Sequence, residues 1–237
     1  MSLLYIFAAS GFEARPVKRI AEASNPGSPL RCGPNDVVLI VCGMGPQNAR
    51  SKAEKVFADG KPDAALVIGL CGGLKTSLPE GTIVSYTDCL STDPAAPPLT
   101  CSPDIVDMVP NLKSAGIACD SVVGITSPRI ATTREERVGL GRSGAAVVDM
   151  ETYAIVDVAR SAGLPTAVLR VVADSIDRDL PDFNRALNKS GGLDGRKALT
   201  IALGSPMRTA KLLAANKRAM ECLAKALQVV LKVKCLA

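Results

Sequence analysis

Seven short apolar runs rich in branched side chains punctuate the first three quarters of the chain: Leu3–Ala9, Val37–Cys42, Ala64–Leu70, Gly81–Tyr86, Ser121–Ile125, Ala145–Asp149 and Thr166–Ala173. Few polar positions alternate within them, the pattern of strands covered on both faces rather than half-exposed ones. Helical stretches fall between them, at about 13–23, 46–59, 103–115, 132–141 and 151–162. This alternation predicts a three-layer α/β/α sandwich around a central mixed, largely parallel sheet, in a single domain spanning 1–237. A hydrophobic content of 47% against 22% charged residues supplies the core and excludes global disorder. The segment Ser91–Pro98 (STDPAAPP) reads as a loop, because strand-like material continues on both sides, and no internal repeat is visible.

The chain has no histidine. That removes Ser-His-Asp triads, Cys-His dyads and His-ligated metals, and leaves acid–base work to carboxylates, lysines, tyrosines or thiols. The net charge of +5 comes with no tryptophan, three tyrosines and four phenylalanines, too few stacking side chains for a nucleic-acid reader. The eight cysteines (32, 42, 71, 89, 101, 119, 222, 235) form no CxxC pair or zinc spacing, and several lie in apolar runs as small core residues. With no basic leader before LLYIFAAS, a reducing cytoplasm is the expected location. No run reaches the ~18 apolar residues needed to span a bilayer.

After Asp182 the pattern changes. Residues 184–206 are polar and glycine-containing, and 207–237 read as a basic helical tail. Nine Lys/Arg lie between Arg196 and Ala237, against the single acid Glu221. A packing helix with a solvated basic face accounts for this; peripheral contact with anionic lipid at the inner membrane surface is the sharper expectation.

The most informative stretch is Val147–Asp182. A strand ends at Asp149-Met150, and Glu151 opens a helix of about 12 residues that carries the chain roughly 18 Å away. Gly163-Leu164-Pro165 reverses it, and about eight extended residues return roughly 26 Å. Asp174 therefore comes back to the rim where Glu151 began, the sheet edge at which α/β proteins place ligands. A helix start favours an ionised Glu151. The apolar VLRVVA before Asp174 favours a raised pKa there. Together they would make an acid and an acceptor; separately, Glu151 is a helix-terminal charge and Asp174 the cap of a following helix. Other strand ends point to the same rim. One places Glu13 there, and another runs into the Gly43-Met44-Gly45 turn. A third ends at Cys71-Gly72-Gly73. The GxG lacks the third glycine and acidic partner of a dinucleotide fingerprint.

The motifs GMGPQNA, IGLCGGL, VVDMETYA and LRVVADSID, in this order, resemble the nucleoside phosphorylase and nucleosidase superfamily, near its methylthioadenosine/S-adenosylhomocysteine nucleosidases. The tail (DRDLPDF, LDGRKAL, GSPMRTAKLL) is similar to hopanoid-associated phosphorylases, thought to act on adenosylhopane. The resemblance implies cleavage of the N-glycosidic bond of an adenine nucleoside with an apolar 5′ substituent. It makes Asp174 and Glu13 catalytic, the first protonating purine N7 and the second orienting water. It makes Glu151 the acceptor of ribose hydroxyls and packs Met150 on the sugar. Gly72, Ser127, Ile130 and Phe183 would contact substrate, with Arg170, Gly43 and Gly45 supporting. It implies a homodimer with a small-molecule purine nucleoside as ligand and no metal or other cofactor, phosphate entering only as the co-substrate of a phosphorylase.

Some positions depart from that pattern. Leu70 and Ala173 stand where serines are frequent. The phosphate-gripping arginine loop is missing after the first strand, and Pro26–Arg31 imitates it only in letters, with Arg31 read as a surface residue. These departures favour water over phosphate as the acceptor, and Leu70 and Ala173 also recommend the alternative of a non-catalytic nucleoside-binding module that keeps the fold.

Overall fold

The structure is a computed structural model that describes residues 2–24, 30–188 and 190–233. The apolar runs become β1 (Ser2–Ala8), β3 (Asn35–Val41), β4 (Ala64–Gly73), β5 (Ile83–Ser91), β7 (Asp120–Thr126), β8 (Val147–Asp149) and β9 (Thr166–Asp174). Two-residue strands, β2 (Arg31–Cys32) and β6 (Leu99–Thr100), border the sheet and are too short to leave a periodic signal. The helices are α1 (Gly11–Ser24), α2 (Pro46–Asp59), α3 (Met108–Ser114), α4 (Arg134–Gly141), α5 (Thr152–Ser161), α6 (Gly195–Gly204) and α7 (Pro206–Val230). The stretch expected as one helix over 103–115 is split into a 3-10 turn, Pro103–Val106, and α3. The break is Asp107, whose φ of 43° lies in the left-handed region that Asp tolerates better than most residues.

The sheet is mixed. β1 pairs in parallel with β3 and β4, β4 with β9, and β5 with β7. β5–β9 and β4–β8 are antiparallel, and β7–β8 is parallel. Strands β4, β9, β5, β7 and β8 thus close into a ring, with β1, β3 and β2 extending from one side. Along β1, Leu4, Ile6 and Ala8 face one core with α1, α3 and α7, while Tyr5 and Phe7 face the other with α2 and α5. Every residue of β9 is buried. Its period of two, with a register irregularity against β4 at the Cys71/Gly72 step, sets Arg170, Val172 and Asp174 towards one face, the two charged residues about 13 Å apart along the strand.

The basic tail divides in two. Ala219, Leu223, Ala226, Leu227 and Val230 of α7 are core residues, so the distal half is a packing helix rather than an anchor. Residues 234–237, including Cys235, lie outside the described residues. Among the described residues, the seven cysteines are free.

Candidate active site

Ser10 sets Glu13 in place. Its hydroxyl accepts from the Glu13 N–H (3.3 Å) and donates to Glu13 Oε2 (3.1 Å) at the start of α1. The other oxygen, Oε1, accepts from the Leu70 N–H at 2.8 Å. Gly69 makes that approach possible: with φ at +146°, a Cβ there would sit 2.4 Å from Glu13 Oε1 and 2.7 Å from an Arg170 nitrogen. Leu70 thus holds Glu13 through its backbone, with no hydroxyl required.

The turn after β8 is organised by Asp149, which the sequence marked only as a strand end. Its carboxylate accepts from the Tyr86 and Thr126 hydroxyls, each at 2.9 Å, and from the Glu151 and Thr152 N–H groups, each at 3.0 Å. Arg170 Nε lies 3.8 Å away. Burial alone would raise this carboxyl, yet Arg170 and the Thr152 and Thr126 donors hold it below its usual value. With four hydrogen bonds engaged, Asp149 is the fixed negative charge of the site.

Glu151 differs from expectation. It precedes α5 but makes no capping bond there. Its Oε1 instead accepts from the Gly45 N–H at 2.9 Å, at the N-terminus of α2, and Oε2 lies 3.5 Å from Arg170. Complete burial pushes its carboxyl up to about 7; Arg170 opposes this, while Asp149 and Glu13 reinforce it. The group expected to be held ionised therefore carries a proton part of the time near neutrality. Desolvation and two neighbouring carboxylates outweigh the helix dipole.

Asp174 follows expectation in direction: burial raises its carboxyl to about 6. Its partner carries no signal in the sequence. Arg137, 1% exposed, brings a guanidinium nitrogen to 2.6 Å of Asp174 Oδ1 and opposes the upward shift. Its remaining nitrogens donate to the carbonyls of Ala131 and Ser175. A Thr133–Glu136 capping box fixes the start of α4 and so aims Arg137. Residues 175–182 form no helix, which rules out the cap reading; the chain turns there instead, with the Arg178 N–H on the Ser175 carbonyl. Ala173 offers no hydroxyl, and Arg137 takes the place beside the acid.

Glu13, Met150, Glu151 and Asp174 line one cavity of about 230 Å³, together with Gly72, Ile130 and Phe183. This is below the ~300–1,000 Å³ of sites for drug-sized ligands, so its closed part suits one small molecule. Gly72 is required by closeness: a Cβ there would lie 3.0 Å from Asp174 Oδ1. Asn184 clasps Ile130, donating to its carbonyl and accepting from its N–H, and so joins the Ile130 wall to the Phe183 turn. Leu180, Pro181, Met44 and Leu212 complete an apolar rim.

Ser127 is not on the lining; its hydroxyl donates to the Arg129 carbonyl and shapes the turn. Gly43 and Gly45 stand behind the lining. Gly43 has φ at +82°, and a Cβ there would lie 2.9 Å from the Ser190 carbonyl, so its open space is taken by backbone; the Gly45 N–H is engaged by Glu151. Arg170 braces the carboxylates from within: besides Asp149 and Glu151 it donates to the Thr152 hydroxyl (2.9 Å) and the Leu70 carbonyl (3.2 Å). Arg31 pairs with Asp36 on the surface, and residues 25–29 of the imitated loop lie outside the described residues.

Residues 5–193 match the phosphorylase superfamily. The chain belongs to that superfamily. Its fold is similar to a 5'-methylthioadenosine/S-adenosylhomocysteine nucleosidase from Neisseria meningitidis in complex with methylthio-immucillin-A (TM-score 0.76, 16% identity, covering 98% of this chain and 99% of that one). It is also similar to a futalosine hydrolase mutant of Helicobacter pylori (TM-score 0.75, 13% identity, 97% and 98% covered). A third similar fold is the Colwellia psychrerythraea nucleosidase in complex with adenine (TM-score 0.73, 17% identity, 100% and 98% covered). At these identities the likeness is one of fold. No curated protein matches the sequence.

Proposed function

We propose that this member of the phosphorylase superfamily hydrolyses the N-glycosidic bond of a purine nucleoside, an adenine nucleoside with an apolar 5′ substituent being the favoured substrate. The observation that carries this reading is the convergence of Glu13, Glu151 and Asp174 on one cavity, with the Asp174 carboxyl raised to about 6. Breaking the sugar–base bond leaves positive charge on the sugar and negative charge on the base. Asp174 supplies the proton that the departing purine needs at N7, help typically worth about 10²–10⁴ in rate. Its other oxygen keeps a lone pair for an exocyclic amine. Glu151 accepts from the ribose hydroxyls, and Glu13, held by Ser10 and the Leu70 N–H, orients the attacking water. The apolar rim of Leu180, Pro181 and Leu212 suits a hydrophobic 5′ group.

Water is favoured over phosphate by charge. Among the described residues the arginines on the cavity lining are Arg129 and Arg137, and Arg137 belongs to Asp174. Arg170 is engaged by Asp149, Thr152 and Leu70. A phosphate dianion on the sugar side would face Glu13 and Glu151, with Arg129 as the lining arginine not already paired with an acid among the described residues. No metal or organic cofactor enters the reaction as proposed. A homodimer remains the expectation for assembly, checked by sedimentation velocity.

The test is chromatography of products from a panel of 5′-substituted adenosines and inosines, with and without phosphate. Free base and free sugar without added phosphate support hydrolysis, and Asp174→Asn should abolish them. Strict phosphate dependence with a sugar 1-phosphate product would replace hydrolysis by phosphorolysis. Full activity in Asp174→Asn would refute the assignment of the acid.

A further inference from the structure

Helices α6 and α7 meet at Ser205 and form a hairpin that the core leaves uncovered. No side chain from Gly195 to Ala214 is buried, and α6 packs mainly on the Phe183–Ala186 turn and α7. Leu199, Leu203, Met207 and Leu213 are 59%, 70%, 74% and 63% exposed. Leu199 and Leu203, four residues apart, share a helix face, and Met207 follows at the start of the second arm. From Gly195 to Met220 the sequence has six Lys/Arg, no Asp or Glu and no aromatic residue. Among the described residues only Arg218 of the six has an acidic partner, Glu80.

Arg208 and Lys211 border a groove lined by five Lys/Arg against three acids, Glu135, Asp177 and Asp179, so the face is net cationic. Large exposed apolar side chains on such a face match an anionic lipid surface, which buries the leucines and neutralises the excess positive charge. A second copy packed isologously through Leu199, Leu203 and Met207 would set two net-cationic hairpins against each other, with no acid in either from Gly195 to Met220. A nucleic acid would find no ring to stack on. We propose that the α6–α7 hairpin docks the protein on an anionic lipid surface. This moves the lipid contact from the distal tail, which is core, to residues 195–214. Leu212, on the second arm, lines the catalytic cavity, so docking sets the cavity mouth at the interface. The docking does not rest on the glycosidic reading; where both hold, an apolar 5′ group enters from the lipid side.

The test is co-sedimentation of the full chain with vesicles of phosphatidylcholine alone or of equal parts phosphatidylcholine and phosphatidylglycerol. Binding to the anionic vesicles should be at least roughly tenfold tighter. Arg208→Gln with Lys211→Gln should weaken it roughly 30-fold, about fivefold for each cation. Leu203→Glu with Met207→Glu should remove it while circular dichroism and the urea midpoint stay as in the parent. No binding by the parent, or equal binding to both vesicle types, overturns the proposal. So does a dimer in sedimentation velocity that the Leu203→Glu/Met207→Glu pair converts to monomer, since that face would then be a contact between copies.

Discussion

Arg137 is the residue whose removal best tests the electrostatics of the site. The folded protein holds the Asp174 proton to about 6, against an ordinary value of 3.8. The folded state therefore binds more protons than the unfolded chain across that window. Stability falls as pH rises through it, by about 3 kcal/mol at ~1.4 kcal/mol per pH unit, and changes no further above it. Arg137, 2.6 Å from Oδ1, opposes the shift. Replacing it with Met should move the proton's release upward by roughly one to three pH units, the usual effect of an adjacent opposite charge. The destabilisation by Arg137→Met should thus be larger near pH 8 than near pH 5 by about 1–3 kcal/mol, over a pH-independent loss from the abandoned Ala131 and Ser175 carbonyls. Urea denaturation at the two pH values reads this directly. The high-pH limb of kcat/KM for base release should shift upward in parallel. Arg137→Lys, which keeps the charge, should leave the limb within about half a pH unit. In an Asp174→Asn background the pH-dependent part of the Arg137→Met effect should vanish, which separates ion pairing from packing. An Arg137→Met cost independent of pH, with the limb unmoved, would refute the reasoning.

Three further outcomes follow from the geometry. Gly69→Ala, with its Cβ directed at Glu13 Oε1 from a φ of +146°, should lower the urea-derived stability by roughly 1–3 kcal/mol or more, and an unchanged midpoint would deny the close approach. Asp149→Asn removes one of the two buried carboxylates that face Arg170 and should cost up to about 3–5 kcal/mol. It also removes a negative neighbour of Glu151, so the Glu151 proton should be released at lower pH, measurable by carboxyl-selective NMR. Glu13→Gln should reduce hydrolysis at least roughly 100-fold while nucleoside affinity by calorimetry stays within about tenfold; retained turnover would exclude Glu13 from handling water.

The strand runs, the helix at 46–59 and the return of β9 to the start of α5 were legible because each rests on local patterning and on chain lengths that leave little freedom. That is why Glu151 and Asp174 could be brought to one cavity from the sequence. Arg137 was not legible, since it lies 37 residues before Asp174 on another element and looks like any charge in an amphipathic helix. Asp149 was hidden as a strand end, because its four donors come from β5, β7 and its own turn. The protonation of Glu151 was read the wrong way for the same reason: a helix start is local, whereas the neighbours that govern its charge arrive through tertiary packing.

The buried charges also bear on how the proposed reaction would be driven. Four carboxylates, Glu13, Asp149, Glu151 and Asp174, are buried with two arginines, Arg137 and Arg170. If all were ionised the group would carry a formal charge of −2, which a dry site resists. Asp149 is held ionised by its four hydrogen-bond donors and by the charge of Arg170 3.8 Å away, and the surplus appears as protons on Glu151 and Asp174 near neutrality. A neutral nucleoside leaves that balance unchanged, but an oxocarbenium-like sugar brings the positive charge the cavity lacks. In the proposed reaction it would favour loss of the proton from Glu151 just as Asp174 gave its own proton to the leaving purine. For the proposed reaction the site would thus be complementary to the charge distribution of the transition state more than to that of the substrate. On this account a cationic sugar mimic should bind more tightly than its neutral isostere, and its binding should release a proton from the enzyme near pH 7, seen as a buffer-dependent heat in calorimetry. Equal affinity for the two mimics, with no proton released, would mean that the carboxylates are balanced for the ground state and that the electrostatic account is wrong.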